Sequence, residues 1–97
     1  MSKYRRAAKI DSNQNEIVRQ LRSIPGVTVE LDHDDILVGF KGKTYWYEIK
    51  NPNTVSKKTG KILDSAKKKT QIQLEHDWKG HYKIVSSLDE ILEEIKI

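Results

Sequence analysis

Residues 35–50 alternate in a way that specifies a β-hairpin. Asp35-Ile36-Leu37-Val38-Gly39-Phe40 and Thr44-Tyr45-Trp46-Tyr47-Glu48-Ile49-Lys50 flank a short glycine-containing connection, Lys41-Gly42-Lys43. Two β-rich runs so joined are a hairpin signal. With Gly42-Lys43 as a Gly-first turn of type II′, Phe40 faces Tyr45, Val38 faces Tyr47 and Ile36 faces Ile49. One sheet face is then apolar. Side chains alternate with period 2, so the other face carries Asp35, Leu37, Gly39, Thr44, Trp46, Glu48 and Lys50. A Lys41-Gly42 turn keeps the same parity. In the first register Asp35 lies opposite Lys50 and diagonal to Glu48. Two carboxylates and an amine at one end of one face suit a divalent cation beside a positive group.

The rest of the chain punctuates itself. Residues 1–11 read as a loose basic arm. Asn13-x-x-Glu16 is a capping-box-like start, and Ile17, Val18, Leu21 and Ile24 form the apolar stripe of a helix closed by Pro25-Gly26. Val27–Leu31 is the first strand. Asn51-Pro52-Asn53 stops the third, because proline cannot donate to a ladder. A Ser/Thr/Gly/Lys loop follows to about Lys61. Leu63, Ala66, Thr70, Leu74 and Trp78 then recur at helical spacing, predicting a second helix from about Asp64 to Trp78. His81–Ser86 is a fourth strand. Ser87-x-x-Glu90 is a capping box opening a last helix with Ile91, Leu92 and Ile95. The order αβββαβα predicts one mixed α/β domain spanning 1–97, with at least one helix covering the sheet.

Composition narrows the function classes modestly. At 97 residues the chain buries a limited share of its surface. It has no cysteine, hence no disulfide framework and no thiolate metal site, which favours a reducing compartment. No apolar run approaches a membrane span, and Lys3-Tyr4-Arg5-Arg6 is not followed by the apolar segment of a secretory signal. The net charge of +4 is compatible with a polyanionic partner.

Each chemical residue also has a plainer reading. Asp35 can end a turn, and Glu48 and Lys50 can belong to an exposed edge of an antiparallel sheet. Glu16 can be a capping acid. Gln71 and Gln73 flank opposite sides of their helical stripe. His33, His76 and His81 show no zinc-ligand spacing, and His33 next to Asp34-Asp35 reads as a strand-edge residue. Lys57-Lys58 and Lys67-Lys68-Lys69 are solvated faces unless a phosphate backbone lies against them.

An Asp followed across neighbouring strands by Glu-Ile-Lys resembles the PD-(D/E)xK nuclease superfamily, although Asp34 stands where the family usually has proline. Asn15-Glu16 in the early helix, the basic loop, Thr70-Gln71 before Trp78-Lys79-Gly80, a strand and Ser87-Leu88-Asp89-Glu90 follow in the order of stand-alone, virus-type VRR-NUC domains. The resemblance implies a restriction-endonuclease-like αβββαβ core with a short C-terminal helix. It implies a metal-dependent, structure-selective DNA endonuclease in the cytoplasm of a bacterial or phage-infected cell. Asp35, Glu48 and the Ile49 carbonyl would bind Mg²⁺ or Mn²⁺, with Glu16 completing the shell. Lys50 would act on water and phosphoryl charge, and Gln71 would hold Lys50 or a phosphate. Lys57, Lys58, Lys61, Lys67 and Lys68 would meet the DNA backbone. A homodimer cutting Holliday junctions is the favoured reading, with an exposed last helix and the sheet edge as partner surfaces. A flap or single-strand nuclease, a non-catalytic nucleic-acid-binding module and a plain interaction protein are the alternatives.

Overall fold

The computed structural model describes residues 13–32 and 35–97. Helix α1 (Gln14–Arg22) leads into strands β1 (Val27–Asp32), β2 (Asp35–Phe40) and β3 (Lys43–Ile49). Helix α2 (Lys69–Asp77), strand β4 (Lys83–Val85) and helix α3 (Leu88–Ile95) follow, with short 3₁₀ turns at Pro52–Thr54 and Asp64–Ala66. The sheet order is β1-β2-β3-β4, antiparallel through β3 and parallel between β3 and β4. The protein is thus mixed α/β, with a four-stranded mixed sheet and three α-helices among the described residues. None of these helices is long and apolar enough to cross a membrane.

The alternation divides the sheet as the hairpin predicts. Ile36, Val38, Tyr47 and Ile49 are buried on one face, with Val29 and Val85 beside them. Ile17, Val18 and Leu21 of α1 and Ile91 and Ile95 of α3 complete the same cluster. Removing each such side chain from water contributes about 1.5–3 kcal/mol. The last helix therefore buries its stripe in the core: Ile91 is fully enclosed and Ile95 nearly so. An exposed apolar α3 as a dimer surface is ruled out by that packing.

The hairpin register differs by two residues from the type II′ expectation. Asp35 pairs with Glu48, Ile36 with Tyr47, Val38 with Tyr45 and Phe40 with Lys43. The turn is Lys41-Gly42, with φ of 53° and 78°. Positive φ at both central residues is the type I′ geometry, whose twist matches that of the paired strands. Lys41 takes a conformation costing an L-residue roughly 1–2 kcal/mol. Its ammonium lies 5.3 Å from the Phe40 ring centroid, an attraction of about 0.5–1 kcal/mol that offsets part of this. Parity survives the slip, so the site residues keep their face but change neighbours.

Helix starts show where local signals yield to tertiary contacts. Asn13 does cap the position before α1, but its side chain makes no cap bond. Its amide instead donates to the Lys50 carbonyl at 3.2 Å and the Ser86 carbonyl at 2.9 Å, tying α1 to the ends of β3 and β4. Helix α2 begins five residues later than its apolar spacing suggests, because residues 64–66 close a 3₁₀ turn and Lys67 and Lys68 are extended. At α3 half of the predicted capping box forms: Ser87 Oγ accepts from the Glu90 amide, but Glu90 Oε1 accepts from the amide of Ser86, one residue before the cap, at 2.9 Å.

Candidate functional site

The face opposite the core brings Asp35, Glu48 and Lys50 together. Asp35 and Glu48 are direct cross-strand partners. Like charges so placed repel. Glu48 is only 3% exposed, so water screens little of that repulsion. Lys50 follows two residues later on the same face, and its Nζ lies 3.5 Å from Glu48 Oε2 with both side chains buried. Its main chain is held on both sides, the amide donating to Val85 O at 2.7 Å and the carbonyl accepting from Asn13. One ammonium beside two carboxylates leaves a net negative pocket in a poorly solvated place, and a divalent cation fits that balance. Hard oxygen donors suit Mg²⁺ or Mn²⁺, and Mg²⁺ is commonly held by one or two carboxylates while keeping its waters. Among the described residues no group of three or more His, Cys, Asp or Glu gathers, so this candidate site offers two acids. Ile49, whose carbonyl is the third predicted ligand, is buried and pairs with Val85.

Trp46 adds a contact to the site that strand alternation alone does not reveal. Its indole Nε1–H donates to Asp35 Oδ2 over 3.0 Å. The ring is set edge-on to Tyr82, with centroids 4.8 Å apart, and to Trp78, at 5.3 Å. The Asp35 carboxylate is therefore held by a donor that is itself packed in place. An alternating strand pattern puts Trp46 on the acid face but says nothing about where its N–H points.

The α1 candidate is not brought inward. Glu16 is exposed and paired with Arg19 and Gln20, and the Arg19 guanidinium holds its carboxyl below the usual carboxylate range. The inward polar residue is Gln14, 2% exposed, with Oε1 buried and without a hydrogen-bond partner among the described residues. Gln14, Ile17, Val18 and Leu21 share one helical stripe, which is the signal that finds it. On α2 the two glutamines separate. Gln71 is buried and Gln73 exposed, and Gln71 Oε1 accepts from the Lys68 amide at 2.9 Å, closing the first turn.

The lysines divide as well. Lys57 and Lys58 lie exposed at the tip of a small arm in which Val55 bridges Ile62, and Lys61 is exposed on its returning side. Ser56 holds that tip: its amide donates to Lys61 O at 2.7 Å, and its carbonyl accepts from Gly60 N at 2.9 Å. Lys68 is exposed at the start of α2. Lys67 is not on an open face; its side chain is 14% exposed and bridges Glu75 at 3.0 Å and Asp64 at 3.7 Å.

The histidines take other places. His33 lies outside the described residues, as does Asp34. His76 is exposed beside Asp77, whose carboxylate raises its pKa. His81 sits between Tyr45 and Tyr47 on the core face, accepting from the Trp46 amide at Nδ1 and meeting Glu94 through Nε2 at 2.7 Å. Tyr47 donates its hydroxyl to the same Glu94 oxygen at 2.5 Å. Burial first, and the Glu94 carboxylate second, push the Tyr47 hydroxyl far up, so it stays protonated. Compared with protein-family models, with curated proteins and with solved structures, the chain has no match.

Proposed function

We propose that this protein is a metal-dependent DNA endonuclease that hydrolyses phosphodiester bonds, with a restriction-endonuclease-like core of the VRR-NUC kind. The observation that carries the reading is the cross-strand pair of half-buried Asp35 and buried Glu48, with Lys50 Nζ 3.5 Å from the glutamate. A nucleic-acid-binding module has no use for two carboxylates set near phosphate. Their repulsion needs a physical purpose, and cation binding supplies one.

When bound there, Mg²⁺ or Mn²⁺ would supply Lewis acidity towards the scissile phosphate and lower the pKa of a bound water. Asp35, Glu48 and the Ile49 carbonyl would hold it. Lys50, beside the Glu48 carboxylate, orients the attacking water and stabilises charge developing on the phosphoryl oxygens. Asn13 fixes the Lys50 main chain, and Trp46 fixes Asp35. Lys57, Lys58, Lys61 and Lys68 contact the DNA backbone, which positions the substrate without reading bases. Among the described residues there is no separate base-reading element, which favours selection by DNA shape. A two-fold homodimer would present two sites to the symmetric strands of a four-way junction, and with the apolar stripe of α3 buried, the sheet edges at β1 and β4 are candidate surfaces for it.

Calorimetric titration with Mn²⁺, on the wild type and on Asp35→Ala, tests the metal site directly. Saturable binding lost in the variant is expected; equal heats in both sink the assignment. A cleavage panel of linear, flap and four-way DNA, with sedimentation at micromolar concentration, tests the substrate. A monomer that prefers linear duplex removes the resolvase reading and leaves the nuclease reading standing.

A further inference from the structure

We infer that Trp78 is a stacking platform for an unpaired DNA base next to the Asp35–Glu48 site. The inference rests on the nuclease reading for its substrate class and adds which part of the DNA is gripped, and where.

Trp78 caps the C-terminal end of α2 and is 51% exposed. A large aromatic ring left this open usually has few neighbours, but this one is packed on two sides. Its centroid lies 5.3 Å from that of Trp46, at an interplanar angle of 89°. On another side the Gly80 main chain presses close: a Cβ at Gly80 would lie 2.9 Å from Trp78 Nε1. The ring is thus held in one orientation while half its surface faces solvent. Pre-ordering of that kind lowers the entropic cost of binding a flat partner.

The neighbourhood selects a base over a phosphate. Beside the ring lies a concavity of about 400 Å³ lined by Thr70, Gln73, Leu74, Asp77 and Trp78. Leu74 gives an apolar wall, whereas Thr70, Gln73 and Asp77 offer a hydroxyl, an amide and a carboxylate to the N–H and C=O edge of a base. The Asp77 charge discourages a phosphate in the same place. Exposed Lys69 and Lys79 stand at the two ends of α2, where the flanking phosphates can run. Stacking needs a base that is out of its duplex, so the preferred substrate carries single-stranded DNA or unpaired nucleotides at a branch. Continuity with the site is direct, because Trp46, in contact with Trp78, donates to Asp35.

The test uses the full chain in the absence of divalent metal, where binding is read without cleavage. Anisotropy of a labelled mixed-sequence single-stranded oligonucleotide is compared with that of the same sequence as blunt duplex. Trp78→Leu keeps an apolar cover over Trp46 and removes the stacking face; it should weaken single-strand binding about 5- to 150-fold. Duplex affinity should hardly change, and Trp78→Phe should retain most single-strand affinity. Gly80→Ala, which displaces the ring without deleting it, should weaken single-strand binding too. Wild-type single-strand affinity in a folded Trp78→Leu overturns the proposal, as does an equal loss on duplex. If Trp78→Leu instead converts a dimer to a monomer with single-strand affinity intact, the face belongs to a second copy and the proposal falls. Cleavage in Mg²⁺ or Mn²⁺ is scored separately on the wild type: a platform without cleavage refutes the nuclease reading alone, and cleavage without a platform refutes this inference alone.

Discussion

Trp46 and Asp35 are joined across β2 and β3 by a 3.0 Å hydrogen bond from the indole N–H to Oδ2. The bond occupies one oxygen of a predicted metal ligand and fixes the plane of its carboxylate. Outer-shell partners of this kind typically govern metal affinity 10- to 100-fold. Trp46→Phe keeps a ring against Trp78 and Tyr82 and deletes only the donor. Mn²⁺ affinity should fall by about that factor, with the melting temperature little changed. Unchanged affinity in calorimetry means that the bond does not orient the ligand.

Asp35→Asn and Glu48→Gln should each abolish cleavage while keeping the fold. Asp35→Asn removes one of two facing charges without adding bulk, so thermal stability should stay level or rise; Glu48→Gln also leaves the buried Lys50 ammonium without its partner and should lower it. A variant that still cuts DNA at the wild-type rate in Mg²⁺ or Mn²⁺ would falsify the site assignment.

Lys50 should affect rate more than grip. Lys50→Ala should lower turnover about 10²- to 10³-fold, the scale of losing one donor to transition-state charge. DNA affinity should change far less, as for an interaction made only in the transition state. Single-turnover rates and equilibrium binding on the same DNA separate the two, and equal losses in both make Lys50 a phosphate anchor.

Asn13 links three elements through its Nδ2 bonds to the Lys50 and Ser86 carbonyls. Asn13→Ala should destabilise the protein by about 1–3 kcal/mol, because both acceptors lose a partner in a partly buried place. Urea unfolding measures the loss. A midpoint equal to the wild type rejects the tether.

Glu94 carries an acid-side stability term. Burial pushes its pKa up, but the hydrogen bonds from Tyr47 and His81 and the nearby Lys83 outweigh it, so the net shift is downwards. A carboxyl lowered on folding stabilises fully above its ordinary range, and that stabilisation disappears as pH falls through the lowered value. Glu94→Gln should therefore be less stable than the wild type at neutral pH, with the gap closing as the solution is acidified. Parallel unfolding curves from neutral to acidic pH check this, and a constant gap contradicts the assignment.

Much of the architecture is legible in the chain because it rests on period and punctuation. Ile36, Val38, Tyr47 and Ile49 read as one face from alternation alone, and the structure buries all four. The Ser87–Glu90 box marks the last helix for the same local reason. The start of α2 was not legible: its inward residue is the polar Gln71, so an apolar spacing points to the wrong boundary. Gln14 escaped similarly, a polar residue at the head of an otherwise apolar stripe.

Alternation of side chains along the strands determined that Asp35, Glu48 and Lys50 share a face, since parity is preserved by any two-residue turn in this loop. It did not determine who faces whom. The type I′ turn at Lys41-Gly42 moved the register by two and set carboxylate against carboxylate, with Lys50 beyond the pair. Cross-chain contacts decided the rest. Asn13, 37 residues before Lys50, holds its carbonyl, and Trp46 holds Asp35 only because Trp78 and Tyr82 pack against the indole. Local periodicity chooses the face of a side chain; the direction of a donor is set by whatever the completed fold packs around it.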